Sequence, residues 1–468
     1  MIVHGYEFPG RFTPFAHQLD TWDKLVRHPR FFVFNDIGTG KTLSALWAAD
    51  FLQSYNRIGR VLIVTTLSTV WNVWADELFK TLPHRSFNVV HHNSKAKRTQ
   101  LLAEPKDYYI INHDGIKVLE NEIMQRRDIT HVIVDEGAEF SNKQTDKWRA
   151  LNNICGPTVS GVKSYHRSLW WMTGGPTPNE PTDIWAQCRI VAFDKVPKYF
   201  SRFRDTVMYQ QTKFKWLPRT GWENYIYSLL ADVSVRHIRD KCIDLPDCVV
   251  EQRVCEMSTE QQSAYTQMKK ELLIEMRQGL ITAANEGIKR LKLLQIACGA
   301  IYDNDHIAQA FDVKPKLRML VEAINEAGGK VIILTPFRHT TELLQKALSK
   351  RYSVGKVDGG VSVIRRREIF SSFQHGDLDL IVAHPRTMAH GLDLTTSHTI
   401  IWWSPIDGYR FFEQANGRIT RPGQKHKQTI IQLICSDVER LVYKRLSTTG
   451  SMQGLLLELL GENNGRSN

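Results

Sequence analysis

The chain has 468 residues, too many for one small core, and about 150 residues per domain predicts two or three domains. Hydrophobic residues make up 42% and charged residues 24%, the balance of a globular protein, and no apolar run approaches the roughly 20 residues needed to cross a bilayer. A net charge of +12 predicts a polyanionic partner, nucleic acid rather than membrane. Nor does the opening stretch Met1–Tyr6 read as a signal peptide. Seven cysteines, at positions 155, 188, 242, 248, 255, 298 and 435, form no CxxC pair and no compact Cys/His ligand set. They read as reduced core thiols of a cytoplasmic protein, and the 17 scattered histidines support no metal site.

Phe12–Gln18 leads into an amphipathic stretch, Leu19 to Val26, and sets the Gln18 amide upstream of the loop that follows. There it can read an adenine edge, or serve only as polar surface. The apolar run Arg30–Phe34, the loop Asn35–Thr42 (NDIGTGKT) and the helix-like Leu43–Leu52 give strand, glycine loop and helix, the context of a phosphate-binding loop. Gly38 and Gly40 let backbone N–H groups approach phosphates, Lys41 neutralises their charge, and the Thr42 hydroxyl takes Mg²⁺. The general pattern GxxxxGK[ST] wants glycine where Asn35 stands.

A second strand, loop and helix follow in Arg60–Val64, Thr65–Ser68 and Val70–Leu78, and Asp107–Asn112 and His131–Val134 are further buried-strand candidates. This alternation predicts a parallel, doubly wound sheet with its ligand at the carboxyl ends of the strands. At one such end stand Asp135 and Glu136. Two adjacent carboxylates there suit nucleotide hydrolysis, with Asp135 holding Mg²⁺ and Glu136 orienting and deprotonating the attacking water; a pair of acids opening a helix is the plainer alternative. Leu169–Asn179 reads as one more strand, ending in a Gly/Pro turn and closing the first sheet.

From about 190 to 310 the pattern turns helical and basic-aromatic, as in Lys213–Arg219 and the long stretch Ser258–Cys298, with Ser258 as a helix cap. Lys330–Thr335, Asp379–Ala383, Thr399–Trp403 and Thr429–Ile434 restart the alternation and predict a second α/β domain. The predicted domains are 1–190, 191–310 as a helical joining span, and 311–460, with a polar, disordered tail at 461–468.

In this order the segments from about 12 to 447 resemble superfamily 2 helicase-like ATPases, and among them the SWI/SNF-type DNA translocases. The loop Asp36-Ile-Gly-Thr-Gly-Lys-Thr42 is similar to the family's variant phosphate loop, and Asp135-Glu136 to its acid box. Thr173-Gly174 with Pro176 and Asn179 looks like the family's TGTPxxN segment, which couples hydrolysis to movement. Val235–Arg239, Leu245-Pro246, Met257–Gln261 and Leu291–Cys298 are similar to the SWI/SNF-specific span. His390–Leu394 and Glu413–Gln424 are similar to the GLGLNL and QAxxRxxRxGQ elements. The resemblance implies two RecA-like lobes, ATP and Mg²⁺ as cofactors, and a compact bacterial or phage-like member.

Around the nucleotide the resemblance puts Gln18, Asp36, Gly38, Thr39, Gly40, Lys41, Thr42, Gly391 and Asp393. Lys41, Asp135, Glu136, Arg418 and Arg421 carry the chemistry, the two arginines sharing one helix face and serving as arginine fingers. Candidate contacts to the phosphates of double-stranded DNA are Thr66, Ser68, Asn112 and His113 in the first lobe, and Phe337, Arg338, Arg386 and Thr387 in the second. The family expects Ala-His where Gly137-Ala138 stand, threonine at Gly175 and asparagine at Asp393; the lost histidine predicts weaker coupling. The expected activity is ATP-driven movement along duplex DNA without sequence preference. Strand separation or branch migration on forked DNA, an RNA-stimulated ATPase, and a nucleotide-dependent clamp or scaffold stay open.

Overall fold

The computed structural model describes residues 2–3, 5–157, 167–175, 177, 180–212, 215–242, 246–277, 283–302, 308–388, 394–421 and 424–447. The chain forms two compact units, Met1–Asp244 and Leu245–Asn468. No described helix is long and apolar enough to cross a membrane.

In the first unit the apolar runs become strands Arg30–Val33 (β1), Arg60–Thr65 (β2), Phe87–Val89 (β3), Tyr108–Asn112 (β4), Ile129–Asp135 (β5), Ser168–Met172 (β6) and Ser234–Val235 (β7). They form one sheet in the order β7-β1-β6-β5-β2-β4-β3, with every pairing parallel. A parallel sheet needs cover on both faces, so successive residues of one strand enter different cores. Phe32, Leu62, Val64, Val132 and Trp171 pack into one. Their neighbours Phe31, Val61, Ile63, Ile133 and Trp170 pack into the other, with Ala45, Leu46 and Trp47 of the helix Lys41–Ser54.

The first sheet does not close at β6, as the sequence reading had it. The chain passes through the helices Asp183–Val191 and Phe200–Val207, a hairpin Met208–Thr212 with Lys215–Pro218, and the helix Trp222–Leu230, then adds β7 beside β1. Two residues are too few to show a strand period, and the basic-aromatic segment 213–219 is hairpin rather than helix where it is described. Lys213 lies outside the described residues.

In the second unit Cys248–Val254 (β8), Val331–Leu334 (β9), Val354–Val357 (β10), Leu380–Ala383 (β11), Thr399–Trp402 (β12) and Gln428–Ile434 (β13) form a parallel sheet in the order β8-β13-β12-β9-β11-β10. The stretch 191–310 thus gives one strand to each sheet. Ser258 caps the helix Thr259–Arg277 by accepting the Gln261 N–H at 3.2 Å. The Gln261 amide then bonds the Ile296 carbonyl at 2.6 Å and ties that helix to Ala283–Cys298. A buried ion pair, Lys316 Nζ to Glu439 Oε1 at 2.7 Å, anchors the helix Lys314–Ala327 to Asp437–Ser447. The tail at 461–468 lies outside the described residues.

His131 sits fully buried in the middle of the first sheet, edge-on to Trp170 at 4.0 Å between ring centroids. Neither ring nitrogen has a hydrogen-bond partner among the described residues. Burial pushes the imidazole down to about 3 from the ordinary 6.5, so the folded chain holds it neutral. Between those two values an unfolded chain takes up a proton that the folded chain refuses, and stability falls as pH falls, by up to about 1.4 kcal/mol per pH unit. Replacing His131→Leu is expected to flatten the loss of melting temperature between pH 6.5 and 4; an unchanged pH profile in thermal melts contradicts this.

Candidate nucleotide site

Parallel pairing brings the carboxyl ends of β1, β2, β5 and β6 to one edge of the first sheet, and the loop 35–42 leaves β1 at that edge. Gly38 and Gly40 take left-handed φ values of 89° and 76°, which side chains with a Cβ rarely adopt. Gly40 caps the helix Lys41–Ser54, leaving the N–H groups of its first turn facing outward. At Gly40 a Cβ would come within 2.0 Å of Gln18 Nε2. Gln18 is therefore packed on the loop, buried, while its Oε1 accepts from Phe15 N at 3.0 Å. Thr39 is also buried: its hydroxyl donates to Asp36 O at 2.9 Å, and its carbonyl accepts from His17 Nε2 at 2.9 Å. Lys41 Nζ donates to the carbonyls of Asn35 and Asp36 at 2.7 and 2.9 Å, and Thr42 follows at the second helical position, half-buried.

Asn35, out of pattern in sequence, has a structural task. Its amide donates to Thr21 Oγ1 at 2.9 Å and accepts from His237 N at 2.9 Å. Asp36 receives Arg239 N on Oδ2 at 3.0 Å, while its own N–H bonds His237 O at 3.0 Å. The segment 235–239 beyond β7 is thus stitched along the base of the loop.

The acid pair closes β5. Asp135 Oδ2 accepts from Trp74 Nε1 at 2.9 Å and Thr65 Oγ1 at 3.2 Å, and Oδ1 accepts from Glu136 N at 3.0 Å. Desolvation, then the charge of Glu136, push its carboxyl up to about 6, against the two side-chain hydrogen bonds and the charge of Lys41. Glu136 stands in the left-handed region at φ 53°, a conformation that costs a residue with a Cβ about 1 kcal/mol or more. The turn after β6 lies against the phosphate loop. Thr173 N donates to Val33 O at 3.0 Å, and a Cβ on Gly174 would touch Ile37 Cγ1 at 3.4 Å. Pro176 and Asn179 lie outside the described residues.

These residues fit a nucleotide and its metal. Left-handed glycines, a helix N-terminus and an ammonium suit phosphates, and the adjacent carboxyl groups of Asp135 and Glu136 offer oxygens to a cation. Among the described residues no three His, Cys, Asp or Glu side chains cluster as a metal cage. Mg²⁺ is a cation held by one or two protein oxygens together with substrate phosphates, so Thr42 and Asp135 suffice in type.

Other expected residues are placed differently. Thr66 and Ser68 are half-buried at the end of β2, but Asn112 and His113 are turned inward, 8% and 6% exposed. His113 Nε2 donates to Asp135 O at 2.9 Å, a contact to the end of β5 instead of to solvent. In the second unit Arg338 is exposed beside Glu342, Arg386 is exposed with its guanidinium 5.0 Å from the Phe411 ring, Phe337 is half-buried against the core, and Thr387 Oγ1 donates to His384 O at 2.7 Å.

Arg418 and Arg421 do not share a helix face. The helix Tyr409–Asn416 ends at Gly417, whose N–H closes onto Glu413 O at 2.9 Å, and both arginines fall in the turn beyond it. Arg418 is 3% exposed with Nε donating to Gln414 O at 3.0 Å, whereas Arg421 is half-buried. Gln424 holds this turn by donating its amide to Thr395, Ser397 and Ile419 carbonyls at 3.1–3.2 Å. Gly391 and Asp393 lie outside the described residues. Sequence reasoning missed Trp74, Thr65, Asn35 and Gln424, all of which act through contacts distant along the chain.

Gly137 stands against Trp171: a Cβ there would lie 1.9 Å from the indole Nε1, which donates to Gln187 Oε1 at 3.0 Å. Trp171 is fully buried and cannot yield cheaply. Gly137→Ala is expected to cost about 1–3 kcal/mol of stability and to lower hydrolysis, with partial recovery in Gly137→Ala/Trp171→Phe. Thermal melts of the single variant that overlay the parent would contradict the packing.

Residues 29–300 match the SNF2-related domain and residues 315–423 the helicase conserved C-terminal domain. Protein p41 of Acyrthosiphon pisum secondary endosymbiont phage 1 is 25% identical over 477 residues, covering 96% of this chain and 99% of its own. Transcription regulatory protein SNF2 of Saccharomyces cerevisiae is 25% identical over 469 residues, 89% of this chain but only 26% of that protein's length. The solved SWI2/SNF2 ATPase core of Sulfolobus solfataricus in complex with dsDNA overlaps with a TM-score of 0.45 at 21% identity, over 95% of this chain and 92% of that one. The SNF2-related match alone spans over half of the sequence and includes the phosphate loop and the acid pair, and this chain belongs to the SNF2-related, helicase-like ATPases.

Proposed function

We propose that this protein is a translocase that couples hydrolysis of ATP, with Mg²⁺, to movement along double-stranded DNA and so remodels DNA or protein–DNA complexes. The observation that carries the reading is one sheet edge holding Lys41, Thr42, Asp135, Glu136 and Thr173 together with the half-buried hydroxyl residues Thr66 and Ser68. A site that breaks phosphoanhydride bonds and a surface suited to a nucleic-acid backbone then share one rigid frame. The positive charge of the chain and its membership of the SNF2-related, helicase-like ATPases support the same partner.

In this mechanism Lys41 exchanges the carbonyls of Asn35 and Asp36 for the phosphates of ATP. Thr42 and Asp135 would hold Mg²⁺, which when bound would supply positive charge to the phosphates. Glu136 orients the attacking water and accepts its proton, and the left-handed turn at this residue fixes where its carboxylate points. Arg418 and Arg421 stabilise charge on the transferred γ-phosphoryl group when the lobes close. Thr173 and Gly174, lying against the phosphate loop, register its state and make hydrolysis a switch between grips on the DNA. Thr66 and Ser68 in one lobe, and Phe337, Arg338, Arg386 and Thr387 in the other, contact the backbone without reading bases.

ATP turnover measured side by side with duplex, forked and single-stranded DNA and RNA tests this. Duplex DNA is expected to stimulate most, and Lys41→Ala and Glu136→Gln to lose about 100-fold or more. DNA affinity should fall steeply with salt, by roughly 0.9 log units per log unit of salt for each phosphate contacted. Strongest stimulation by forks selects strand separation or branch migration, and by RNA an RNA-stimulated enzyme. Equal DNA remodelling by Glu136→Gln and the parent selects a nucleotide-dependent clamp.

A further inference from the structure

A chain of hydroxyl groups leads from the buried end of this site to its surface. Asp135 Oδ2 accepts from Thr65 Oγ1 at 3.2 Å; Thr65 Oγ1 lies 2.6 Å from Thr69 Oγ1, which lies 2.9 Å from Thr66 Oγ1, which lies 3.2 Å from Ser68 Oγ. Burial falls along the same path: Thr65 is fully buried, Thr69 is 5% exposed, and Thr66 and Ser68 are half-buried. Immediately beyond Thr69 the backbone widens into a π-helical run, Val70–Ala75, which carries Trp74 to the same carboxylate oxygen. Neither Thr65 nor Thr69 is needed to touch nucleotide or nucleic acid.

Each hydroxyl has one proton to give and lone pairs with which to accept. Asp135, when ionised, only accepts, so Thr65 must donate to it, and Thr65 can then only accept from Thr69. Thr69 in turn accepts from Thr66, and Thr66 from Ser68. All the donors point one way, towards Asp135, and each bond polarises the next. A nucleic-acid phosphate is also an acceptor. When it engages Thr66 and Ser68 it accepts their hydrogen bonds in place of Thr69, whose own hydroxyl has an alternative acceptor already in place, the Thr66 carbonyl at 3.0 Å. Thr65 then loses the donor behind it and its hold on Asp135 weakens, leaving Trp74 as the stronger partner.

We infer that Thr65 and Thr69 are positioning residues of a hydrogen-bond relay through which a backbone phosphate at Thr66 and Ser68 releases Asp135 for metal binding and so stimulates hydrolysis. The inference rests on the assignment of Thr66 and Ser68 as nucleic-acid contacts proposed above.

Thr69→Val keeps the shape and removes the central hydroxyl. If the relay operates, the basal rate rises towards the DNA-stimulated rate and the stimulation ratio falls by about fivefold or more. Duplex affinity stays within about twofold, because the contact residues are intact. Thr69→Ser restores the parent behaviour. Without nucleotide, duplex DNA should change amide hydrogen exchange in the segment 129–140 of the parent and of Thr69→Ser, and not of Thr69→Val. Should Thr69→Val fail to fold, Thr65→Val cuts the same chain one link closer to Asp135 and is expected to shift both readouts in the same direction. A variant that lowers both rates with an unchanged ratio, or an unchanged exchange response, overturns the relay alone. A parent enzyme whose turnover and exchange ignore every nucleic acid overturns the relay and the translocase reading together.

Discussion

Parallel pairing of the first sheet is the constraint from which the rest follows. Strands joined in parallel point their carboxyl ends the same way, so the residues following β1, β2, β5 and β6 meet at one edge although they are up to about 140 positions apart in sequence. The loop 35–42, the hydroxyls at 65–69, the acid pair and Thr173 therefore share a neighbourhood without any being near another in the chain. Register makes the meeting specific. Thr173 N reaches Val33 O and His113 N reaches Thr65 O, each bond extending a ladder by one residue past a strand into functional loop. Slipping a strand by one residue would turn its buried set outward and break these bonds at once.

What could be read from the sequence divides along physical lines. Runs such as Val61–Val64 and Val132–Val134 announce themselves because both faces are buried and every residue is apolar. Ser234–Val235 is too short to carry a pattern, and Cys248–Val254 is an exposed edge strand whose polar residues hide it. At the site, Lys41, Asp135 and Glu136 were legible because their chemistry narrows the choices. Asn35 looked like a blemish in the loop pattern, because its partners Thr21 and His237 are decided by tertiary contact. His113 and Asn112 were assigned outward roles by position alone, while the space around them turned both inward. The shared helix face for Arg418 and Arg421 failed on Gly417, where the helix ends before either arginine is reached.

The second unit repeats the principle with different fasteners. Its sheet is again wholly parallel, and the turn carrying Arg418 and Arg421 is held by one amide, Gln424, which gathers three carbonyls. Leu394 N also bonds Arg418 O at 3.2 Å, so the connection leading to β12 and the arginine turn are fixed to each other by backbone as well as side chain. Deep in this unit the Lys316–Glu439 pair binds two helices through charge; losing either partner would strand the other in an apolar setting at several kcal/mol, about 3–5. A guanidinium placed to meet a phosphate gains from such a frame, since little ordering remains to be done at the moment of reaction.

The contact between Gly137 and Trp171 makes two positions far apart in the chain interdependent. The indole occupies the volume that any side chain at 137 would need, so the present sequence admits one residue there while tryptophan stands opposite. A methyl or larger group at 137 fits without strain only where the side chain at 171 is smaller, so the choice of residue at either position sets what the other can become. The acid box of this chain and the strand β6 behind it are thus tied together through a single packing contact.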